Sequence, residues 1–341
     1  MYAVKKDAMY EMLNRISAEM DLFVPLRNDD KTDFGLYRQG CTVDFECLKT
    51  AKSAKDIFFP QSEELYRVEK KESGYQIDPA ELCMRPFAVF GIRACDLKGL
   101  QVLDRVFRSE PYDSFYCARR DHGILIGLSC NEPEETCFCS TYGIDAAEPE
   151  ADINVTIVGE TFFFEIKTEA GKELLEKAGD IPETVDDTVC AAEKAKILAV
   201  IEQLPYGKTD LSGWGEEALY ERFDSPLWDK LYRTCLGCGT CTFVCPTCQC
   251  YDIRDFAAGK GTIRYRCWDS CMYSDFTLMA GGNSRKTQRE RYRQRFMHKL
   301  AYYPANNDGL FGCVGCGRCV RKCPASLHIL KVIRAFQEEK K

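Results

Sequence analysis

The sequence predicts an α+β protein built in two parts, and two observations carry that prediction. Two continuous apolar runs, Phe87–Ile92 and Gly123–Leu128, flank a stretch with helical spacing, the pattern of a βαβ unit around a buried parallel sheet. Nearer the C-terminus one cysteine motif is written twice, as Cys235-Leu-Gly-Cys238-Gly-Thr-Cys241-Thr-Phe-Val-Cys245-Pro246 and as Cys313-Val-Gly-Cys316-Gly-Arg-Cys319-Val-Arg-Lys-Cys323-Pro324. Each copy is C-x2-C-x2-C-x3-C-P, the run that binds [4Fe–4S] clusters in bacterial two-cluster ferredoxins. The first part is therefore expected to be an α/β domain. The second is expected to be a mostly helical, two-[4Fe–4S] ferredoxin-like domain with a long insertion, residues 246–312, between its motifs.

Each element has its own justification. Residues 5–20 are expected to be helical, because Met9, Met12, Leu13 and Ile16 recur on one side. Phe87–Ile92 is unbroken apolar strand, and Leu97, Leu100, Leu103 and Val106 place a helix over residues 96–107. Gly123–Leu128 is the second buried strand. Gly159-Glu160 separates Asn154–Val158 from Thr161–Ile166, which reads as a hairpin. Helices are expected over residues 170–178 and 191–204. Residues 205–224, rich in Gly, Asp and Glu, read as a connection. The expected division is an α/β domain at 1–204, a linker at 205–226 and the dicluster domain at 227–341.

Composition narrows the class. A chain of 341 residues can bury a core without disulfide staples, and its 21 cysteines gather in metal-type clusters, so a reducing cytoplasm is expected. The start, Met1-Tyr-Ala-Val-Lys5-Lys6, lacks the apolar stretch of a signal peptide, and the longest apolar runs are too short to span a bilayer. A net charge of −7 argues against nucleic acid as the main partner. Neither a dinucleotide fingerprint nor a P-loop is present, and His122, His298 and His328 form no clear catalytic pair. No residue is therefore assigned a catalytic role, and any nicotinamide or flavin chemistry is expected to belong to a partner.

The motif spacing has physical reasons. Three thiolates within seven residues can hold one face of a cubane only on a tightly turning backbone, which Gly237, Gly239, Gly315 and Gly317 permit. Pro246 and Pro324 then lead the chain away. In two-cluster ferredoxins the fourth cysteine of each run serves the other cluster. One cluster is thus assigned to Cys235, Cys238, Cys241 and Cys323, the other to Cys313, Cys316, Cys319 and Cys245. Zinc is the competing reading, but zinc sites rarely continue C-x2-C into x2-C-x3-C-P.

A further constellation lies in the first part. Cys95 follows one apolar strand and Cys130 follows the other, so parallel neighbours would bring both to one carboxyl edge, where Cys137 and Cys139 stand close in sequence. A third [4Fe–4S] cluster, with iron on Cys95, Cys130, Cys137 and Cys139, is one reading; buried thiols packing as small apolar groups is the other. Asp96 is a candidate substitute ligand. Cys248, Cys250, Cys267 and Cys271 lack a C-x2-C unit and read better as packing around the clusters than as another metal or redox site. Cys41, Cys47, Cys83, Cys117 and Cys190 read as structural. The cationic run Arg285–Lys299 fits offsetting cluster charge, steering an acidic partner, or a solvated helix face better than it fits nucleic-acid binding.

These residues together resemble a known family: the iron–sulfur subunit shared by anaerobic sulfite reductase (its A subunit) and soluble sulfhydrogenase, an NAD(P)-linked nickel–iron hydrogenase (its beta subunit). The resemblance runs through Pro86–Leu97, Leu103–Phe107, Gly127–Cys130, Cys137-Phe-Cys139, Cys245–Tyr251, Trp268–Cys271, Ala280–Gly282, Glu290–Arg293 and Cys313–Cys319. It includes the Cys95, Cys130, Cys137 and Cys139 set, and also Cys248, Cys250 and Cys271; Cys267 departs from it. It implies an anaerobic multi-subunit oxidoreductase. Its partners would be an FAD- and iron–sulfur-containing subunit that oxidises NAD(P)H, and a terminal catalytic subunit of the siroheme sulfite reductase or nickel–iron hydrogenase type. The chain itself would transfer electrons between them, without direct membrane insertion. The alternatives are a self-contained reductase acting at the N-terminal cluster and an iron–sulfur regulatory protein.

Overall fold

The computed structural model describes residues 1–186, 188–259 and 261–339. Strands β1 (Tyr2–Lys5), β2 (Asp21–Asn28) and β3 (Lys31–Leu36) precede β4 (Ser62–Lys71) and β5 (Gly74–Pro79). They are followed by β6 (Phe87–Ile92), β7 (Gly123–Leu128), β8 (Ile153–Val158), β9 (Thr161–Ile166) and β10 (Glu183–Thr184). An eight-stranded mixed sheet runs in the order β10-β1-β9-β8-β7-β6-β2-β3. Its centre is parallel: β2 on β6, β6 on β7 and β7 on β8. The flanks are antiparallel, including the β8–β9 hairpin with Val158 opposite Thr161.

The apolar run of β6 is explained by burial on both faces. Ala88 and Phe90 join the core under the helix Met9–Glu19, where Met9, Met12, Leu13 and Ile16 are buried. Phe87 and Val89 face the opposite core, with Leu97, Leu100, Leu103 and Phe107 of the helix Ala94–Phe107. Alternation along one strand therefore feeds two cores, and each fully buried Phe or Leu contributes about 1.5–3 kcal/mol. The expected helices after the hairpin appear as Glu169–Glu176 and Thr188–Gln203.

The second part mixes helix and sheet. Its long insertion carries two strands, β11 (Tyr251–Ala258) and β12 (Gly261–Trp268), so helices alone do not describe it. The hairpin pairs across to the first part through β12 and β4, from Gly261 opposite Glu69 to Cys267 opposite Ser62, giving a four-stranded sheet β11-β12-β4-β5. Trp268 at its base is buried, and its indole N–H donates to the Phe59 carbonyl at 3.0 Å. The helices Gln288–Met297 and Ile329–Glu338 pack with Trp214, Ala218 and Trp228 in a separate core. Residues 205–226, read as a connection, thus bury Trp214 and Ala218 in that core. Thr287 and Glu290 form a reciprocal capping box that starts the helix Gln288–Met297.

Candidate iron–sulfur centres

The two motifs fold alike. Gly237, Gly239, Gly315 and Gly317 all take left-handed backbone, with φ of 65°, 72°, 61° and 73°. A short helix follows each, Thr240–Phe243 and Arg318–Lys322. Cys235, Cys238, Cys241 and Cys323 line one cavity with about 430 Å³ of atom-free space, part of it open to solvent. Around Cys319 stand Cys313, Cys316 and Cys245. The structure therefore brings together both crosswise sets that the spacing assigns.

Polar hydrogens are aimed at these sulfurs. Arg295 Nε donates to Cys241 Sγ at 2.8 Å, Gln288 Nε2 to Cys235 Sγ at 3.4 Å and the Leu327 amide to Cys323 Sγ at 3.2 Å. The Thr240 hydroxyl lies 3.4 Å from Cys238 Sγ, and the Thr247 hydroxyl 3.1 Å from Cys245 Sγ. Thr240, through its hydroxyl and amide, holds the exposed Cys238 thiol below its usual range. Such bonds favour the more negative state of a thiolate or cluster.

Buried charge supplies the test of fit. Arg295 and Lys299 are both buried. The Lys299 ammonium donates to Thr247 Oγ1 at 2.7 Å and to the Gly312 carbonyl at 2.9 Å. Burial acts against both cations, yet cysteine sulfurs around them, Cys241 and Cys319 for Arg295 and Cys245 and Cys248 for Lys299, hold each above its ordinary value. Arg295 Nη1 and the Tyr292 and Tyr142 hydroxyls are buried without a well-formed hydrogen-bond partner. Tyr292 sits beside Cys235, Cys323 and Cys241, and Tyr142 beside Cys313, Cys319 and Cys245. Unpaired buried donors of this kind are costly unless an anion lies among them. Anionic cubanes held by these cysteines would satisfy them.

The N-terminal set also converges. β6 and β7 are parallel neighbours, so Cys95 and Cys130 leave the same carboxyl edge. Cys95, Cys130, Cys137 and Cys139 line a second hollow, with about 440 Å³ of atom-free space partly open to solvent, together with Lys49, Arg93, Glu134 and Cys316. Lys49 pairs with Glu134 at 3.0 Å, and Arg93 Nη2 donates to the Cys47 carbonyl at 2.6 Å. Burial pushes the Cys139 thiol up to about 12 and the Cys316 thiol up to about 11, so neutral thiols would fill this hollow unless a metal displaced their protons. Asp96 is not a spare ligand, because Arg318 binds both of its carboxylate oxygens.

Among the described residues, no three His, Cys, Asp or Glu side chains are close enough to hold a single metal ion. The cysteine sets open wider than zinc allows, since zinc holds sulfur at about 2.3 Å. Of the weaker cysteines, Cys248, Cys250 and Cys271 lie near one another beside Cys245, while Cys267 stands apart on β12 among Arg254, Asp252 and Asp269. Lys49, Lys55, Arg93 and Tyr142 escaped the sequence reading, because nothing local marks a residue that reaches a cysteine set from another element.

This fold and this arrangement of thiols define an iron–sulfur protein, and residues 234–327 match the family described as a 4Fe-4S dicluster domain. Over 334 residues the chain is 30% identical to sulfhydrogenase 2 subunit beta of Pyrococcus furiosus, covering 96% of each chain. It belongs to that sulfhydrogenase beta-subunit family. No solved structure matches it. No helix among the described residues is long and apolar enough to cross a membrane.

Proposed function

We propose that the chain is the electron-transfer subunit of a multi-subunit oxidoreductase, with an NAD(P)H-oxidising flavoprotein on one side and a terminal catalytic subunit of the hydrogenase or sulfite reductase type on the other. The observation that supports this reading is that the cysteine sets adjoin: Arg295 stands beside both Cys241 and Cys319. Cys238 is exposed. Cys316 stands with the second set and also lines the N-terminal hollow with Cys95, Cys130, Cys137 and Cys139. Adjoining redox sites, one of them at the surface, suit exchange with a docked protein better than they suit a buried substrate.

Cys235, Cys238, Cys241 and Cys323 would hold the first cluster, Cys245, Cys313, Cys316 and Cys319 the second, and Cys95, Cys130, Cys137 and Cys139 a third. When bound, [4Fe–4S] clusters supply one-electron exchange. The protein contributes the rest. Arg295 and Lys299 offset thiolate charge, and the Gln288, Thr240 and Leu327 donors tune the sulfurs. Exposed Leu236 and Tyr273, whose hydroxyl donates to the Cys238 carbonyl at 3.3 Å, add apolar surface near Cys238 for a partner to cover.

The test is anaerobic purification followed by reduction. Three clusters give about 12 iron atoms per chain and two give about 8. NAD(P)H is expected to bleach the visible absorbance only after the flavoprotein partner is added. Rapid bleaching of the isolated chain by NAD(P)H would overturn the subunit reading and favour a self-contained reductase.

A further inference from the structure

Three thiols lie outside the assigned sets and yet close together. β11 and β12 close with Tyr251 opposite Trp268, and the Asp269 amide donates to the Cys250 carbonyl at 2.9 Å. This pins Cys250 at the hairpin base beside Asp269, which precedes Cys271 by two residues on the other strand's exit. The Cys250 and Cys271 side chains lie close enough to influence each other's protonation. Cys248, next along, lies beside Cys245 of the second set.

The surroundings are cationic. Lys55 reaches over from the first part, donating to the Cys248 carbonyl at 3.1 Å with its ammonium 3.5 Å from the centre of the Trp268 ring. Lys299 and Lys55 both act on Cys250 as neighbouring cations. A cation beside a thiol favours the thiolate, the form that attacks a second sulfur. Neither Cys250 nor Cys271 is fully buried.

We infer that Cys250 and Cys271 form a dithiol–disulfide couple, a two-electron redox site built against the second cysteine set. This rests on the reading of that set as an iron–sulfur centre. On oxidation the two S–H bonds break and one Sγ–Sγ bond forms between Cys250 and Cys271. Two protons pass to water, and two electrons leave, one at a time, to [4Fe–4S] clusters as one-electron acceptors. Reduction reverses each change. Such a couple would hold an electron pair between two-electron chemistry and one-electron carriers.

The experiment uses the full, iron-loaded chain under anaerobic conditions. The protein is poised in glutathione buffers of graded ratio, quenched in acid, unfolded, alkylated with N-ethylmaleimide and mapped by mass spectrometry. The expected result is a linked Cys250–Cys271 peptide at oxidising ratios that becomes two alkylated thiols at reducing ratios. The transition follows a two-electron slope and is unchanged in Cys267→Ser. Two alkylated thiols at every ratio would overturn the proposal. So would a loss of about 3–4 iron atoms per chain in Cys250→Ser or Cys271→Ser, which would make them cluster ligands. Because the wild-type peptide map stands alone, misfolding of a variant does not remove the test. Failure of the electron-transfer reading shows separately, as absent reduction through the partner while the linked peptide still forms.

Discussion

Arg318 and Asp96 form a doubly hydrogen-bonded ion pair, Nη1 to Oδ1 at 2.5 Å and Nη2 to Oδ2 at 2.7 Å, with both side chains almost wholly buried. Arg318 lies between Cys316 and Cys319, and Asp96 follows Cys95. The pair therefore ties the second motif to the carboxyl edge of β6. Removing one partner leaves the other as an uncompensated buried charge, which costs about 3–5 kcal/mol. Arg318→Met is expected to destabilise the chain by that amount, as is Asp96→Asn to a lesser degree. The double variant Asp96→Asn/Arg318→Met is expected to recover at least half the loss. Denaturant unfolding of all three under anaerobic conditions measures this; an additive double variant would refute the coupling.

The two motif glycines of the second run do more than turn the chain. A Cβ on Gly315 would stand 2.3 Å from the Phe138 carbonyl oxygen, and one on Gly317 would stand 2.4 Å from that of Thr136. The Phe138 amide also donates to the Gly315 carbonyl at 2.8 Å. The second motif is thus packed backbone to backbone on the loop that carries Cys137 and Cys139. Gly315→Ala is expected to pry that loop away and lower iron by about one cluster's worth, about 4 atoms per chain. Gly143→Ala is the control. Gly143 has φ of 67° but open space around its Cβ position, so only about 1–2 kcal/mol of backbone strain follows. Equal iron content in the two variants would show that the close contact is unimportant.

Much of this was legible because the relevant signals are local. The apolar runs of β6 and β7 announce a buried parallel sheet, and the position of Cys95 and Cys130 at their ends announces a shared edge. The glycine spacing announces left-handed turns. What was hidden depends on contacts between residues distant in sequence. The pairing of Gly261–Cys267 with Ser62–Glu69 leaves no local trace, since either strand could pair elsewhere. Lys49 and Lys55 look like ordinary surface lysines until the fold buries them. Asp96 looked like a spare ligand because Arg318 is 222 positions away. The cationic run Arg285–Lys299 divides in the same way: Arg295 and Lys299 turn inward to sulfur, while Arg289 pairs with Asp229 at 2.7 Å near the surface.

Arg295 should tune the first centre. Its Nε bonds Cys241 Sγ at 2.8 Å and its Nη2 bonds the Cys241 carbonyl at 2.9 Å. Reduction adds negative charge, so losing a cation and a donor disfavours it. Arg295→Met is expected to lower the midpoint potential of that centre by about 60 mV, the one-electron equivalent of a tenfold change in equilibrium. Arg295→Lys, which keeps charge but not the fork, should fall between. Potentiometric titration followed by EPR reads this directly; an unchanged or raised potential would contradict the assignment of Arg295 to this centre.

His298 makes stability depend on acid in a predictable direction. Burial, with Lys299 and Arg285 adding to it, lowers this imidazole from 6.5 to about 4. Unfolded, the same side chain takes up a proton near its ordinary pKa. Between those two values the unfolded state binds more protons, so stability falls as pH falls from about 6.5 toward about 4. At about pH 5 the loss from this one group is of the order of 2 kcal/mol. His298→Gln cannot take up that proton and is expected to flatten the decline by close to one proton's slope. Urea unfolding of both proteins at intervals from about pH 7 to about pH 5 measures the difference. Parallel curves would mean that His298 is protonated in the folded chain and that its burial is offset by a partner anion.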